Sequence, residues 1–549
     1  MRGSYGRARG RSSVSACAIK RRCLISTAMR TRLALMLAAL VLPGLGVVRA
    51  VADEPTATDV DTFVTSFDGT RLQVHLMRTS VRAADGTAPV IAIAHGFGEA
   101  GPSDPDGARL AGAPTIRPVL DAGYDVLTWD ARGHGGSEGN AMFDSPDYEV
   151  KDVQAILDWL AAQPGVQLDA PGDPRIGMVG ASYGGIVQFL VAALDDRVDV
   201  IAPGYTSHDL ARDSLSTNGK FKEGWGLGLA GMGGVGLIPA GLASPLGPQL
   251  HLIDPPAITG LLASVVRGTT TPAFTTYLDH RSPARYLRRI TVPTLIQGGT
   301  SDTLFPLDSL VRDYSTLKAR GVPVKLVWNC EGHSLCPGSD GPLEDHFNDV
   351  VIRWMDRWLK ADASVDTGPQ FEWLADNEDT YRSAVAYPPA SDGALRGAGS
   401  GQLPLLATGP LSSVGFIFIG AQPAAALVVE VPIAAPSGPA DVVGFPRLQL
   451  SYRGRAVPGK SWVYAQVLDA RTHRVVGVQV TPVPVVLDGR PHRVSINLNA
   501  IATRADATSD YRLQIIAGSM IFGLQRSTGV VTFDDVRISL PVIDPARAR

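Results

Sequence analysis

The sequence predicts an α/β chain in two parts, a first built on a parallel sheet with helices on both faces and a second that is all β. Three observations carry this. Between residues 63 and 361, apolar runs that read as buried strands alternate with segments of helical spacing, the pattern of strand–helix–strand units. One strand-to-helix junction, Gly180-Ala181-Ser182-Tyr183-Gly184, has the Gly-x-Ser-x-Gly form of a sharp turn. Beyond residue 370 the helical signals vanish and strand-like runs recur between turn residues.

At 549 residues the chain is too long for one core. Hydrophobic content of 45% and charged content of 19% are those of a globular protein. A net charge of -3 points away from nucleic-acid binding and from a disordered acidic tail. The charge is unevenly placed: residues 1–52 carry ten Lys/Arg and no Asp/Glu, leaving 40 basic against 53 acidic residues in the rest. Arg30 and Arg32 precede an apolar run from Leu33 to Val48, short for a bilayer span, and Ala50-Val51-Ala52 has the small-x-small form of a cleavage site. A cleavable signal peptide over 1–52 is expected, with Asp53 first in the mature chain and a secreted or cell-envelope location; an uncleaved anchor is the alternative. Met29 is a second candidate start, since residues 29–52 alone make a complete signal peptide. No other run is apolar enough to span a membrane.

In chain order, Phe63–Phe67 and Leu72–Leu76 flank Asp68-Gly69 and read as a hairpin. Val90–Ala94 is a buried strand ending in His95-Gly96-Phe97-Gly98, where glycine lets the backbone approach a ligand. The amide of Phe97, with that of Tyr183, is the candidate donor pair for an oxyanion, and His95 is expected to support this loop. Tyr124–Trp129 is the next strand, and Arg132 beyond it is expected to brace loops under the site. Val150, Val153, Ile156, Leu157 and Leu160 share one helical face. Arg175–Val179 and Ile186–Leu194 are the strand and helix on either side of Ser182, the setting a nucleophile elbow requires. The plainer reading is a glycine-rich turn with an idle serine.

In an α/β-hydrolase domain the acid and then the histidine follow the nucleophile. Asp302 stands just past the late strand Thr291–Ile296, and His333 lies in the loop after Val324–Trp328. His346 falls in a helix with Phe347, Val350, Val351, Trp354 and Trp358, which makes His333 the better base. His134 precedes the serine, the wrong order for this architecture. The expected chemistry is serine acyl transfer through Ser182, His333 and Asp302, with no cofactor. Cys330-x-x-His333-x-x-Cys336 offers metal-ligand types, but its histidine is already needed for catalysis.

Three motifs in order, Asp130-x-Arg132-Gly133 with Ser137-x-Gly139, Asp158-Trp159-Leu160-Ala161-x-Gln163-Pro164, and Gly177-Met178-x-Gly180-x-Ser182-Tyr183-x-Gly185, resemble the X-Pro dipeptidyl-peptidase and cocaine-esterase family of α/β-hydrolases. The resemblance implies a helical cap, a C-terminal jelly roll, and hydrolysis of esters or peptide bonds by Ser, Asp and His. The family often places a tyrosine hydroxyl in its oxyanion hole. His95-Gly96-Phe97-Gly98 has none, so an all-backbone hole is expected and the substrate, a small ester or a peptide, stays open.

The expected layout is a catalytic domain over 53–361 with a cap insertion over 205–290, a linker over 362–370, and a β-sandwich, a jelly roll, over 371–549. The glycine-dense stretch Gly224–Gly247 carries Trp225, Leu227, Leu229, Met232 and Leu237, and reads as a cap shaping an apolar acyl pocket or as a plain surface excursion. Asp209, Asp213 and Glu223 are candidates to hold a substrate amine. The strand-like runs of the second part are Val414–Ile419, Leu427–Val431, Leu448–Tyr452, Trp462–Val467, Val475–Val480, Val494–Leu498, Tyr511–Ile516 and Val530–Ile538. Cys330 and Cys336, the only cysteines after the leader, are expected to form a disulfide around His333, against two buried thiols as the alternative. From another functional class, the chain could be a catalytically idle, hydrolase-shaped cell-surface or carbohydrate-binding protein.

Overall fold

The computed structural model describes residues 59–543, apart from 108, 111, 335–342, 392, 408–412, 415–421, 424–426 and 524. The leader, Cys336 and most of the run Val414–Ile419 lie outside the described residues.

The first sheet has ten strands: β1 Val60–Thr65, β2 Arg71–Met77, β3 Val90–Ala94, β4 Asp125–Trp129, β5 Ile176–Ala181, β6 Val198–Gly204, β7 Thr294–Gly299, β8 Val324–Asn329, β9 Phe371–Trp373 and β10 Arg382–Ala384. They lie in the order β1-β2-β4-β3-β5-β6-β7-β8-β9-β10. The β1–β2, β2–β4 and β9–β10 pairs are antiparallel, and the strands from β4 across to β9 run parallel. The central strands are apolar at every position because both faces are covered. Val90, Ala92 and Ala94 face one layer while Ile91 and Ile93 face the other, as the two-residue repeat of a strand demands. Helices α1 Glu149–Ala161, α2 Tyr183–Leu194 and α5 Leu307–Ala319 cover the first face. Helix α6 Leu343–Trp358 packs Phe347, Val350, Val351 and Trp354 on the second.

Between β6 and β7 the chain leaves the sheet, as expected of a cap. It forms α3 Glu223–Met232, a π turn over Gly233–Leu237 and α4 Pro255–Arg267. Asp254 is the only charged residue between Glu223 and Arg267, and it is buried.

The sheet does not stop at the expected linker. β9 and β10 fall within the stretch read as the second part, yet they extend the first sheet, with Leu326, Val327 and Trp328 in register with Phe371, Glu372 and Trp373. The all-β region proper begins with β11 Gly393–Leu405 and continues with β12 Val428–Pro432, β13 Ala440–Gly444, β14 Arg447–Asp469, β15 Thr481–Asp488, β16 His492–Asn497, β17 Ile501–Ala505, β18 Tyr511–Ile516 and β19 Thr528–Ile543. These pair antiparallel in the order β12-β18-β14-β19-β13-β17, with β11 on β19 and with β15 and β16 on β14. The runs Leu448–Tyr452 and Trp462–Val467 are the two ends of one long strand, β14. Val475–Val480 is not a strand: only Arg474–Val475 pairs, because the chain turns into a short 3-10 segment at Val476–Val478 through Gly477 at φ 59°.

The two regions share a core. Tyr464, Val480, Ala500, Ile516 and Phe522 belong to the apolar cluster that contains the helices of the first sheet. Polar contacts close the seam. Arg526 pairs with Glu223 at 3.0 Å and donates to the Val265 and Val266 carbonyls at the end of α4.

Candidate active site

The local fold around Ser182 follows from two missing β-carbons. A Cβ on Gly180 or on Gly184 would lie 2.3 Å from the Ala94 carbonyl oxygen, so only glycine lets β5 and α2 close onto β3 here. Ser182 itself sits at φ 56°, ψ -120°, a strained conformation for a residue with a side chain, and its amide donates to the Gly204 and Tyr205 carbonyls. Helix α2 starts at the next residue.

Asp302 and His333 come together as the sequence expects. His333 Nδ1 lies 2.7 Å from Asp302 Oδ2, and Asp302 is fully buried. Its other oxygen accepts from the amides of Leu304 and Phe305 at 2.9 and 2.7 Å, so the carboxylate is fixed before any substrate arrives. The imidazole is boxed by Phe305 and Trp225, each edge-on with ring centres 4.9 and 5.9 Å away. Phe305 also lines the pocket into which Ser182 opens. That pocket holds about 390 Å3, mouth included, between Phe97, Phe143, Ile186, Leu210, Leu229 and Leu304, with Asp144 on its wall. Leu229 comes from α3, so the segment between β6 and β7 contributes to the apolar wall.

Phe97 and Tyr183 border the same pocket. Among the described residues neither backbone amide has an intramolecular acceptor. The His95 loop is rigid: the Ala131 amide donates to His95 Nε2 at 2.9 Å, which leaves the ring proton on Nδ1 to donate to the Gly96 carbonyl at 2.7 Å. His134 is fully buried against His95, Phe97 and Tyr183, and burial pushes its pKa well down, so it stands behind the loop as a neutral ring. Arg132 grips Asp152 through two bonds of 2.6 Å and Asp68 through one of 3.0 Å, under the rings of Tyr148 and Phe67. It braces loops as the sequence expects.

Other expectations separate from the site. His346 stacks on Tyr381 with ring centres 3.6 Å apart and lies 3.2 Å from Glu372. Asp209 caps its own turn and pairs with Arg212, Asp213 pairs with Arg312, and Glu223 pairs with Lys220 and Arg526. None of these three carboxylates lines the Ser182 pocket. Cys330 is buried at the end of β8 beside Ser301, and Cys336 is outside the described residues. Among the described residues, no group of three or more His, Cys, Asp or Glu side chains could hold a metal ion.

Sequence reasoning missed four contributors. Glu149 receives the Tyr183 hydroxyl at 2.9 Å and the Met142 and Ser145 amides, and burial raises its pKa to about 7. Lys222, fully buried, donates to the Leu304 carbonyl at 2.7 Å, and burial lowers its pKa to about 7 against the pull of Asp302. Gln479, from the all-β region, donates at 2.9 Å to the carbonyls of Thr300 and Asp302. Asp144 stands in the pocket wall. None sits in a local motif; each reaches the site from an element distant in sequence.

Strand order, elbow and the acid–histidine succession define an α/β-hydrolase fold. The chain resembles the X-Pro dipeptidyl-peptidase and cocaine-esterase group within it, as its motifs implied: the sequence profile of the X-Pro dipeptidyl-peptidase (S15 family) matches residues 68–334. An uncharacterized 31.7 kDa protein of Escherichia coli is 28% identical over 148 residues, 25% of this chain and 47% of its own length. Epoxide hydrolase A of Mycobacterium tuberculosis is 34% identical over 149 residues, 27% of this chain and 38% of its own. The match thus spans less than half the length of either relative. Among solved structures, an alpha-amino acid ester hydrolase aligns with a TM-score of 0.65 at 14% identity, over 91% of this chain and 100% of that one. A CocE/NonD family hydrolase from Staphylococcus aureus aligns with a TM-score of 0.59 at 15% identity, over 92% and 100%. At these identities the likeness is one of fold.

Proposed function

We propose that the chain is a serine hydrolase of acyl bonds, an esterase or an X-Pro dipeptidyl-peptidase-like enzyme. The observation that carries this reading is the buried Asp302–His333 hydrogen bond, joined through Phe305 to the apolar pocket of Ser182. With Nδ1 engaged by Asp302, the imidazole offers Nε2 to the serine. His333 takes the Ser182 proton as Oγ attacks the substrate carbonyl, and Asp302 stabilises the resulting imidazolium. The Phe97 and Tyr183 amides, which have no other acceptor among the described residues, hold the negative oxygen of the tetrahedral species. The imidazolium returns its proton to the leaving group, an acyl-enzyme remains, and water activated by His333 releases the acid.

Around this core we place an export signal over 1–52, a jelly-roll arrangement of the all-β strands, and a Cys330–Cys336 disulfide that steadies the His333 loop. The supports are the basic, apolar leader, the antiparallel strand pairing and the absence of other cysteines beyond the leader.

The test is a fluorophosphonate label with a panel of p-nitrophenyl acyl esters and Xaa-Pro p-nitroanilides. The intact chain should label once and turn over one of the two classes, and Ser182→Ala should do neither. Labelling that survives Ser182→Ala would sink the assignment. Absence of labelling and turnover in the intact chain would favour the idle, binding-protein reading.

A further inference from the structure

The wall of the Ser182 pocket carries one polar side chain that no part of the mechanism uses. Asp144 is 2% exposed, and among the described residues no hydrogen bond reaches its carboxyl; its Oδ1 is buried without a partner. Buried polar atoms are nearly always satisfied, so an orphan in a ligand pocket marks a place the ligand is meant to fill. A second observation is independent of the first. Phe143 and Asp144 are consecutive non-glycine residues at φ 64° and 55°. Left-handed backbone costs about 1 kcal/mol or more per residue and persists where the surroundings impose it, commonly at ligand sites. Here the strained pair delivers both of its side chains to the pocket wall.

The neighbours say what kind of group Asp144 would meet. Glu149 is saturated by Met142, Ser145 and Tyr183. Arg281 is spent on the Met142 and Tyr277 carbonyls and on the Tyr277 ring. The other walls are apolar apart from Ser182 and Tyr183. Burial and the nearby Glu149 push the Asp144 pKa up, against the pull of Arg281, which disfavours a charged carboxylate there and favours a partner that can both give and accept a hydrogen bond. A cationic amine would require a buried, isolated ion pair there, with only one carboxyl for three N–H donors. A hydroxyl both gives and accepts, without bringing a charge.

We propose that Asp144 is a specificity-determining residue that hydrogen-bonds a hydroxyl group on the acyl chain, making hydroxyacyl esters the preferred substrates of the Ser182 site. This deepens the hydrolase reading and rests on it. In this role Asp144 selects the substrate and takes no part in bond exchange. An unsubstituted acyl group leaves the acid buried and unpaired, and sites of that kind discriminate strongly against the analogue that lacks the hydroxyl.

The experiment compares kcat/KM for p-nitrophenyl butyrate, its 2- and 3-hydroxy counterparts and its 3-amino counterpart, with active enzyme counted by fluorophosphonate labelling. One hydroxy ester should exceed butyrate by about 10-fold or more. Asp144→Gly, which suits a left-handed position, should bring that ratio to near one. Asp144→Asn, uncharged but still able to hydrogen-bond, should keep a preference above that of the glycine variant. A wild-type ratio near one, a ratio unchanged in Asp144→Gly, or a 3-amino ester favoured over both hydroxy esters overturns the proposal. Asn behaving like Gly does so too, because Asn keeps a hydrogen-bonding group at the same place. Failure of the hydrolase reading looks different: no label and no turnover of any ester.

Discussion

Asp302 spends one oxygen on two backbone amides and the other on His333, so its own position and the ring it orients are held by different bonds. Asp302→Asn keeps the shape but allows the amide to present its NH2 to the ring, and activity should fall by several orders of magnitude, on the order of 10^4-fold in kcat. His333→Ala should be comparably severe. His346→Ala, which removes a ring stacked on Tyr381, should change kcat less than 10-fold, on the order of a structural perturbation. The reverse ranking in steady-state kinetics would move the base onto α6. Glu149 gives a pH prediction. Its pKa rises from 4.5 to about 7 on folding, so between those values the folded chain holds a proton that the unfolded chain has released. Stability contributed by this group is therefore full below pH 4.5 and is lost as pH climbs through 7. The loss is about 3 kcal/mol at most, from 1.4 kcal/mol per pH unit. Urea midpoints measured from pH 4.5 to 8 should show that downward slope in the wild type and a shallower one in Glu149→Gln. Equal slopes would refute it. Ser182, Asp302 and His333 were legible because each follows a strand in a fixed order. Glu149 and Lys222 were not, because their roles come from burial against residues far along the chain.

At the scale of elements, the strands that are apolar throughout are legible in the sequence and the one built on glycine is not. β3, β5 and β8 announce themselves by continuous burial. β11, Gly-Ala-Leu-Arg-Gly-Ala-Gly-Ser-Gly-Gln-Leu-Pro-Leu, is absent from the strand-like runs of the sequence, since glycine weakens a strand and leaves no alternating pattern. The structure shows what replaces it. A Cβ on Gly399 or Gly401 would come within 2.9 Å of Val431 or Val429 in β12, so the glycines let two strands approach face to face. Gly401→Val should therefore cost about 1–3 kcal/mol, the usual penalty for overfilling a packed core. A denaturation midpoint equal to wild type would show that the strands can separate freely. The same logic explains β9 and β10. They follow a linker-like stretch, and nothing local tells a short buried strand which of two sheets it will join; pairing with β8 decides it.

For the molecule as a whole, the acid loop belongs to both regions. Gln479 donates to the Thr300 and Asp302 carbonyls and is itself held by Asn499, and Gly477 packs on Thr300 so closely that a Cβ would lie 2.7 Å from its carbonyl oxygen. Gln479→Leu should strand two buried acceptors at about 1–3 kcal/mol each. It should also lower kcat more than KM changes, because it loosens the acid rather than the pocket. A variant with wild-type kcat would mean that the loop holds itself. A chain ended after residue 390 should fail to label with fluorophosphonate for the same reason, and labelling of such a fragment would count against the brace.

The brace also imposes an order in time. Gln479 lies 177 residues beyond Asp302, so a ribosome finishes Ser182, Asp302 and His333 long before it makes the side chain that bonds the Asp302 loop. Tyr464, Ile516 and Phe522, which complete the shared core, come later than the base as well. A growing chain carries Ser182, Asp302 and His333 before it has the contacts from Gln479 that hold the Asp302 loop from the other side. On the proposed serine-hydrolase reading, the brace on the Asp302 loop is thus completed only when the closing strands are made.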